Sequence, residues 1–140
     1  MLKKKILFKL SGEFFKSATN TIDIERVFDL AKEIATIRKK YRLAVVFGGG
    51  NIFRGRQMTG KIKNQAAWHF VGMAATLVNA LALKAVFDEL RIPARIISAF
   101  DPPKKQDYFR HNEIIIFAGG TGRPFVTTDS AAVKYALEYG

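Results

Sequence analysis

Cysteine is absent from the 140 residues. Its absence removes disulfide frameworks, thiolate metal sites and cysteine nucleophiles together, and it suits a reducing compartment such as the cytoplasm. Proline is scarce, with 4 residues, while 49% of the chain is apolar and 12% aromatic. That is too much core material for a disordered chain. No internal repeat or low-complexity linker divides it, so residues 1–140 are expected to form a single domain around one buried core. Acid is the minority charge: 12 Asp and Glu stand against 23 Lys and Arg, for a net charge of +11. The surplus points to an anionic partner, whether nucleotide, nucleic acid or acidic membrane, without choosing among them.

Neither an export signal nor a membrane span is expected. The opening MLKKKILFKLSGE is basic, but Lys9 breaks its apolar stretch, which is too short for a signal peptide. Residues 68–87, WHFVGMAATLVNALALKAVF, approach the length of a bilayer crossing, yet His69, Asn79 and Lys84 interrupt them. Phe70, Met73, Ala74, Leu77, Leu81 and Lys84 follow helical spacing. The segment therefore reads as a long, mostly buried helix of a soluble domain, with that row as its stripe.

The other apolar runs, KILFKL, LAVVF, ARIIS and EIIIFA, are continuous rather than alternating, which is the pattern of strands buried on both faces of a parallel sheet. Between the first two, IDIERVFDLAKEIATIRKKY carries an apolar stripe of Val27, Leu30, Ala31, Ile34 and Ala35. Asp23 can cap its start, and Arg38, Lys39 and Lys40 suit its negative dipole end. A last helix begins near TTDSAAVKYALEYG, with Asp129 as its expected cap. The order β, α, β, α, β, β, α predicts an α/β fold: a three-layer α/β/α arrangement with a mainly parallel sheet.

In such a sheet the strand ends that lead into helices share one edge, and ligands bind there. Three unusual segments fall at that edge: KLSGE (9–13), GGGNIFRGR (48–56) and GGTGRPFVTTD (119–129). Glycine permits positive φ and removes the side chain that would hold a ligand away, so backbone amides can face an anion, aided by a helix start. Arg54 and Arg56 add forked charged donors and Lys9 a compact charge. The combination suits phosphate oxygens. It matches neither familiar phosphate cradle. From Gly50, GNIFRGRQ has P-loop glycine spacing but carries Arg56 and Gln57 where Lys and Ser or Thr are required. The dinucleotide fingerprint fails because Phe53 and Phe125 stand where a third glycine belongs.

The segments KLSGE, GGGNIFRG, GMAATLVNALAL and GTGRPFVTTDSAA, in that order, resemble the bacterial uridylate kinases of the amino-acid-kinase superfamily, which move the terminal phosphoryl group of ATP to UMP. The resemblance spans most of the chain and implies an amino-acid-kinase-like fold. It implies that Lys9, Leu10, Ser11 and Gly12 line the ATP phosphates, with Lys9 neutralising charge on the transferred group, and that Gly50 and Arg54 approach the same phosphates. Gly49 would approach UMP; Thr121, Gly122, Arg123, Pro124, Phe125, Val126, Thr127 and Thr128 would hold it; Asp129 would organise the catalytic charges. Mg2+ is implied as the companion of ATP, held mostly by nucleotide phosphates, with no dedicated protein metal site.

Departures from the family pattern are equally legible. In AAWHFVGM, Trp68 and His69 stand where the family has Gly-Asp, so His69 replaces an aspartate that contacts the UMP sugar. Histidine cannot accept two ribose hydroxyl bonds as a carboxylate does. FFKSATNTID is shorter than, and lacks the glycines of, the family segment tied to GTP activation. SAFDPPKKQDYFRHNE is abbreviated too, with Arg110 and His111 as the remnant of a basic helix. The family chain continues past the counterpart of Gly140 into a second lobe that grips the adenine and ribose of ATP. The expectation is therefore an acceptor-binding lobe lacking the C-terminal nucleotide lobe, with a partner chain as one way to complete it. The family also implies a homo-oligomer, typically a hexamer. Two other classes stand beside the kinase: a UMP-binding module without turnover, or half of a split kinase, and a basic nucleic-acid binder. The charge favours the last, but the aromatics mostly fall on helical or strand core positions rather than forming an evident stacking platform, and the sequence shows no recognised RNA-binding motif.

Overall fold

The computed structural model describes residues 3–55, 60–104 and 112–140. Within them β1 (Lys5–Leu10), β2 (Arg42–Phe47), β3 (Ala94–Ser98) and β4 (Ile114–Ala118) form one sheet in the order β1-β2-β4-β3. Every pairing is parallel, with Leu10 opposite Phe47 and Ile97 opposite Phe117. The helices are α1 (Ile24–Arg38), α2 (Gln65–Glu89) and α3 (Thr128–Tyr139), and a one-turn 3-10 helix, Gly12–Phe15, follows β1.

The continuous apolar runs produce two cores because successive strand side chains point to opposite faces. Leu43, Val45, Phe47, Ile114 and Ile116 face α1 and α2, where they meet Val27, Leu30, Ile34, Leu83 and Phe87. Ala44, Val46, Ile115 and Phe117 face α3 and meet Ala131, Tyr135 and Tyr139. Phe117 and Tyr135 stack with ring centroids 4.1 Å apart, a pairing worth about 1 kcal/mol beyond its buried area. The expected three-layer α/β/α architecture is the one observed. β2 and β4 are buried throughout their apolar runs, whereas the edge strand β1 leaves Lys5 and Lys9 exposed.

Asp23 caps α1 as expected. Its carboxylate accepts the backbone N–H groups of Glu25 (3.1 Å) and Arg26 (3.4 Å). A side-chain hydrogen bond with Ser17, reinforced by the Arg26 amide, holds its carboxyl below the usual aspartate range.

Helix α2 corrects the predicted stripe. Its buried row is Met73, Thr76, Asn79, Ala80, Leu83, Val86 and Phe87, while Phe70 and Leu81 are 43% and 54% exposed and Ala74 is exposed as well. A helix apolar on nearly every side offers several stripes of equal spacing, and packing against the sheet selects one rotated by about a residue. The helix is long and apolar enough to cross a bilayer, but this face is packed in the core beside α1.

Candidate active site

Parallel pairing sends β1, β2 and β4 out through the same edge, so the loops that follow them start side by side. The Gly48 N–H donates to the Leu10 carbonyl at 3.1 Å, joining the first two. Gly12 is buried in this junction. A methyl group there would overlap Asn51 Oδ1 and lie 2.6 Å from the Gly48 carbonyl oxygen, so any side chain is excluded. The third loop arrives through α3: Lys9 Nζ lies 3.1 Å from Asp129 Oδ1. Residues 9–12, 48–54 and 119–129, distant in sequence, thus meet at one edge of the sheet.

Asp129 does not cap α3. Thr127 does, its Oγ1 accepting the Ser130 N–H at 3.1 Å. Asp129 sits in the first turn, 78% exposed, and its carboxylate turns to Lys9. Thr127 occupies the half-in position just before the helix, where its hydroxyl can reach back to the free amides, and Asp129 lies two residues too late for that role. Ser11 is likewise a cap, accepting the Glu13 N–H at 3.2 Å. Arg54 folds back over its own loop, donating from Nε to the Gly50 carbonyl at 3.0 Å and pairing through Nη2 with Glu13. Glu13 also pairs with Lys16 at 3.0 Å. Arg56 and Gln57 lie outside the described residues, as do Arg110 and His111.

Beside this charged cluster opens a cleft of about 420 Å³. Of the predicted residues, Gly49, Gly50, His69, Val126, Thr127 and Thr128 line it. Lys9, Leu10, Ser11, Gly12, Arg54 and Asp129 are not in its wall but in the cluster at the strand ends. Thr121, Gly122, Arg123, Pro124 and Phe125 form the turn between: Thr121 Oγ1 accepts the Arg123 N–H at 3.3 Å, and Arg123 itself is exposed. Phe125 has φ of 63°, a left-handed conformation that costs a bulky residue about 1–2 kcal/mol. It is held there by His69, whose Nδ1 accepts the Phe125 N–H at 3.3 Å and whose ring lies 4.5 Å from the phenyl centroid. Accepting through Nδ1 assigns the neutral imidazole proton to Nε2. His69 is therefore a strut for the turn as well as part of the cleft wall.

Sequence reasoning missed the aromatic part of the wall. Phe53 and Trp68 stack with centroids 5.5 Å apart and planes 14° from parallel, and both line the cleft with Met73, Thr76 and Gly120. The available signal was an aromatic residue inside the glycine loop together with one in the first turn of the next helix.

Three loops meet at the carboxyl edge of a parallel sheet covered by helices on both faces, and residues 4–140 match the amino acid kinase family. The chain belongs to that family. Within it, the chain is 42% identical over 152 residues to the uridylate kinase of Mycoplasmopsis pulmonis, covering 98% of this chain and 62% of that protein. It resembles the crystal structure of UMP kinase from Ureaplasma parvum with a TM-score of 0.92 at 33% identity, covering 99% of this chain and 65% of that one. The UMP kinase of Bacillus anthracis gives 0.88 at 30% identity, covering 99% and 62%. The chain spans about 62% of the length of the curated relatives it matches.

Proposed function

We propose that this chain forms the UMP-binding part of a kinase that transfers the γ-phosphoryl group of ATP to UMP, giving UDP and ADP. The observation that carries the reading is the meeting of residues 9–12, 48–54 and 119–129 at one sheet edge, with Lys9 and Asp129 3.1 Å apart.

In this reaction a phosphate oxygen of UMP attacks the γ-phosphorus and the bond to the bridging oxygen of ADP breaks. Charge spreads over the three equatorial oxygens, so the protein's task is alignment and electrostatic stabilisation rather than covalent chemistry. Lys9 supplies a positive charge at the end of a rigid strand, and Asp129 holds its ammonium in place. Ser11, Gly12 and Gly50 with Leu10 present the phosphate-side backbone. Arg54 keeps its Nε on Gly50 and exchanges Glu13 for a phosphate oxygen. UMP occupies the cleft lined by Phe53, Trp68 and His69, near Gly49, with the 121–128 segment and the Thr127 and Thr128 hydroxyls around it. A cleft of this size takes one mononucleotide. His69, with its proton on Nε2, offers the sugar a donor in place of a carboxylate acceptor.

Magnesium enters as part of the MgATP substrate. Among the described residues no group of three or more His, Asp or Glu side chains could cage it, so phosphate oxygens supply most of its ligands. The reading carries with it a cytoplasmic, homo-oligomeric enzyme, and it assigns the +11 charge to the attraction of nucleotide phosphates rather than nucleic acid or membrane.

Calorimetric titration with UMP tests the proposal. Binding is expected, weakened about tenfold by Arg123→Ala or Thr128→Ala, the loss of one charged or neutral hydrogen-bonding partner. A folded chain that gives no UMP heat overturns it. A second reading, UMP binding without turnover, is favoured by the pairing of Lys9 with Asp129 and of Arg54 with Glu13, which occupies both cations of the strand-end cluster. Coupled measurement of UDP formation separates the two: UDP production by the chain alone selects the kinase, and intact UMP binding without UDP selects the binding module.

A further inference from the structure

Helix α2 carries two polar side chains in its buried row, Thr76 at 5% and Asn79 at 0% exposure. A buried amide or hydroxyl in an apolar layer is costly unless its hydrogen bonds are made. Both are, and each partner lies in a different loop of the site. Asn79 Nδ2 donates to the Gly48 carbonyl at 2.9 Å and to Asn51 Oδ1 at 2.8 Å, while Asn79 Oδ1 accepts from Asn51 Nδ2 at 2.9 Å. Asn51 Nδ2 reaches on to the Thr21 carbonyl at 3.1 Å. One turn earlier, Thr76 Oγ1 accepts the Gly119 N–H at 2.8 Å and donates to the Met73 carbonyl at 2.6 Å. The glycine loop also rests on the same helix: a methyl group on Gly49 would lie 2.8 Å from Ala75 Cβ and 2.9 Å from the Gly72 carbonyl oxygen.

The two grips are three residues apart on a rigid helix, a rise of about 4.5 Å. Apolar side chains at both positions would serve packing alone, so the hydrogen bonds answer to the loops. We infer that Thr76 and Asn79 are positioning residues that make α2 a spacer, fixing the 48–51 loop relative to the 119–128 loop so that donor and acceptor phosphates are held in register. The inference rests on the kinase reading for its purpose, and on geometry alone for the coupling. In-line transfer is sensitive to displacements of about 1 Å between the reacting groups, which is the tolerance such a spacer would enforce.

The test compares Thr76→Val, which keeps shape and removes the hydroxyl, with Thr76→Ser, which keeps the hydroxyl. Amide NMR and hydrogen exchange on the free chain report the loops, and UMP calorimetry reports the site. Thr76→Val is expected to speed exchange at the Gly119 amide, to shift the amides of Gly48 to Asn51 across the cleft, and to weaken UMP about tenfold. Thr76→Ser is expected to restore all three. Asn51→Ala, which removes the partner of Asn79 from the half-exposed side, should shift Gly119 in return and stands in if Thr76→Val does not fold. Shifts confined to the mutated loop, or equal losses in the Val and Ser variants, overturn the spacer. Absence of UMP binding by the parent chain overturns the kinase reading instead, and the ligand-free amide shifts still decide the coupling.

Discussion

Residues 48–50 and 119–122 are both glycine-rich and both end a buried parallel strand, yet none of the first three glycines takes a positive φ, whereas Gly119, Gly120 and Gly122 do, at 82°, 58° and 75°. In the first loop it is Gly49 that needs to be glycine, because Ala75 Cβ and the Gly72 carbonyl oxygen occupy the space of a side chain. The second needs it because the backbone turns left-handed. Their supports differ in the same way. The first is clamped by Asn51, Asn79 and Arg54. The second hangs from Thr76 at one end and from the His69–Phe125 contact at the other. One residue type therefore does two physical jobs at the same site, and the letter G does not say which.

Alanine substitution separates the jobs. The largest effect is expected at Gly12, which packs against the first loop: a methyl there meets the Gly48 carbonyl at 2.6 Å, and backbone cannot move aside cheaply. Gly12→Ala should lower stability in urea denaturation by about 2–3 kcal/mol. Gly120→Ala comes next, at about 1–2 kcal/mol for the left-handed backbone, because its new methyl meets only the flexible Met73 side chain at 3.3 Å. Gly120→Asn should recover part of that loss, since Asn tolerates this conformation. Gly50→Ala should cost no more than about 0.5 kcal/mol, as the nearest atom is Arg54 Nε at 3.7 Å. A Gly50→Ala variant as unstable as Gly12→Ala would break the distinction between crowding and handedness.

The smallest effect concerns acid. Asn51 ties the first loop to Thr21, beside Asp23, whose carboxyl is held low chiefly by Ser17 and then by the Arg26 amide. A carboxyl depressed by folding adds stability above its unfolded value, near pH 4, and that contribution is lost as pH falls through the folded value. The melting temperature of the parent chain should therefore fall more steeply below about pH 4 than that of Asp23→Ser, which caps without a titrating group. Parallel pH profiles for the two would sever this support from the first loop.

Much of the fold was legible because its signals are local or periodic. The four strands, the α1 stripe with its Asp23 cap and the convergence of three loops follow from continuous apolar runs, capping chemistry and the shared edge of a parallel sheet. The α2 face was not legible. When Phe70, Ala74, Val78 and Leu81 are as apolar as Met73, Ala80, Leu83 and Phe87, periodicity alone cannot choose, and the true face is marked by the polar Thr76 and Asn79 that a hydrophobic template discards. Asp129 misled for a related reason. Thr127 and Asp129 are both capping residue types, and only the path of the chain into α3 decides which stands at the half-in position.

Sequence by itself determined the α/β class, the parallel strands and the gathering of three glycine-bearing loops at one sheet edge, because these depend on runs, spacings and residue types that act over short range. Only the tertiary structure decided which face of α2 is buried, which glycines are crowded and which are left-handed, that Asp129 meets Lys9, and that His69 braces Phe125. Those facts arise between segments far apart in the chain, where packing and hydrogen-bond satisfaction choose among alternatives that local propensity leaves equal in energy.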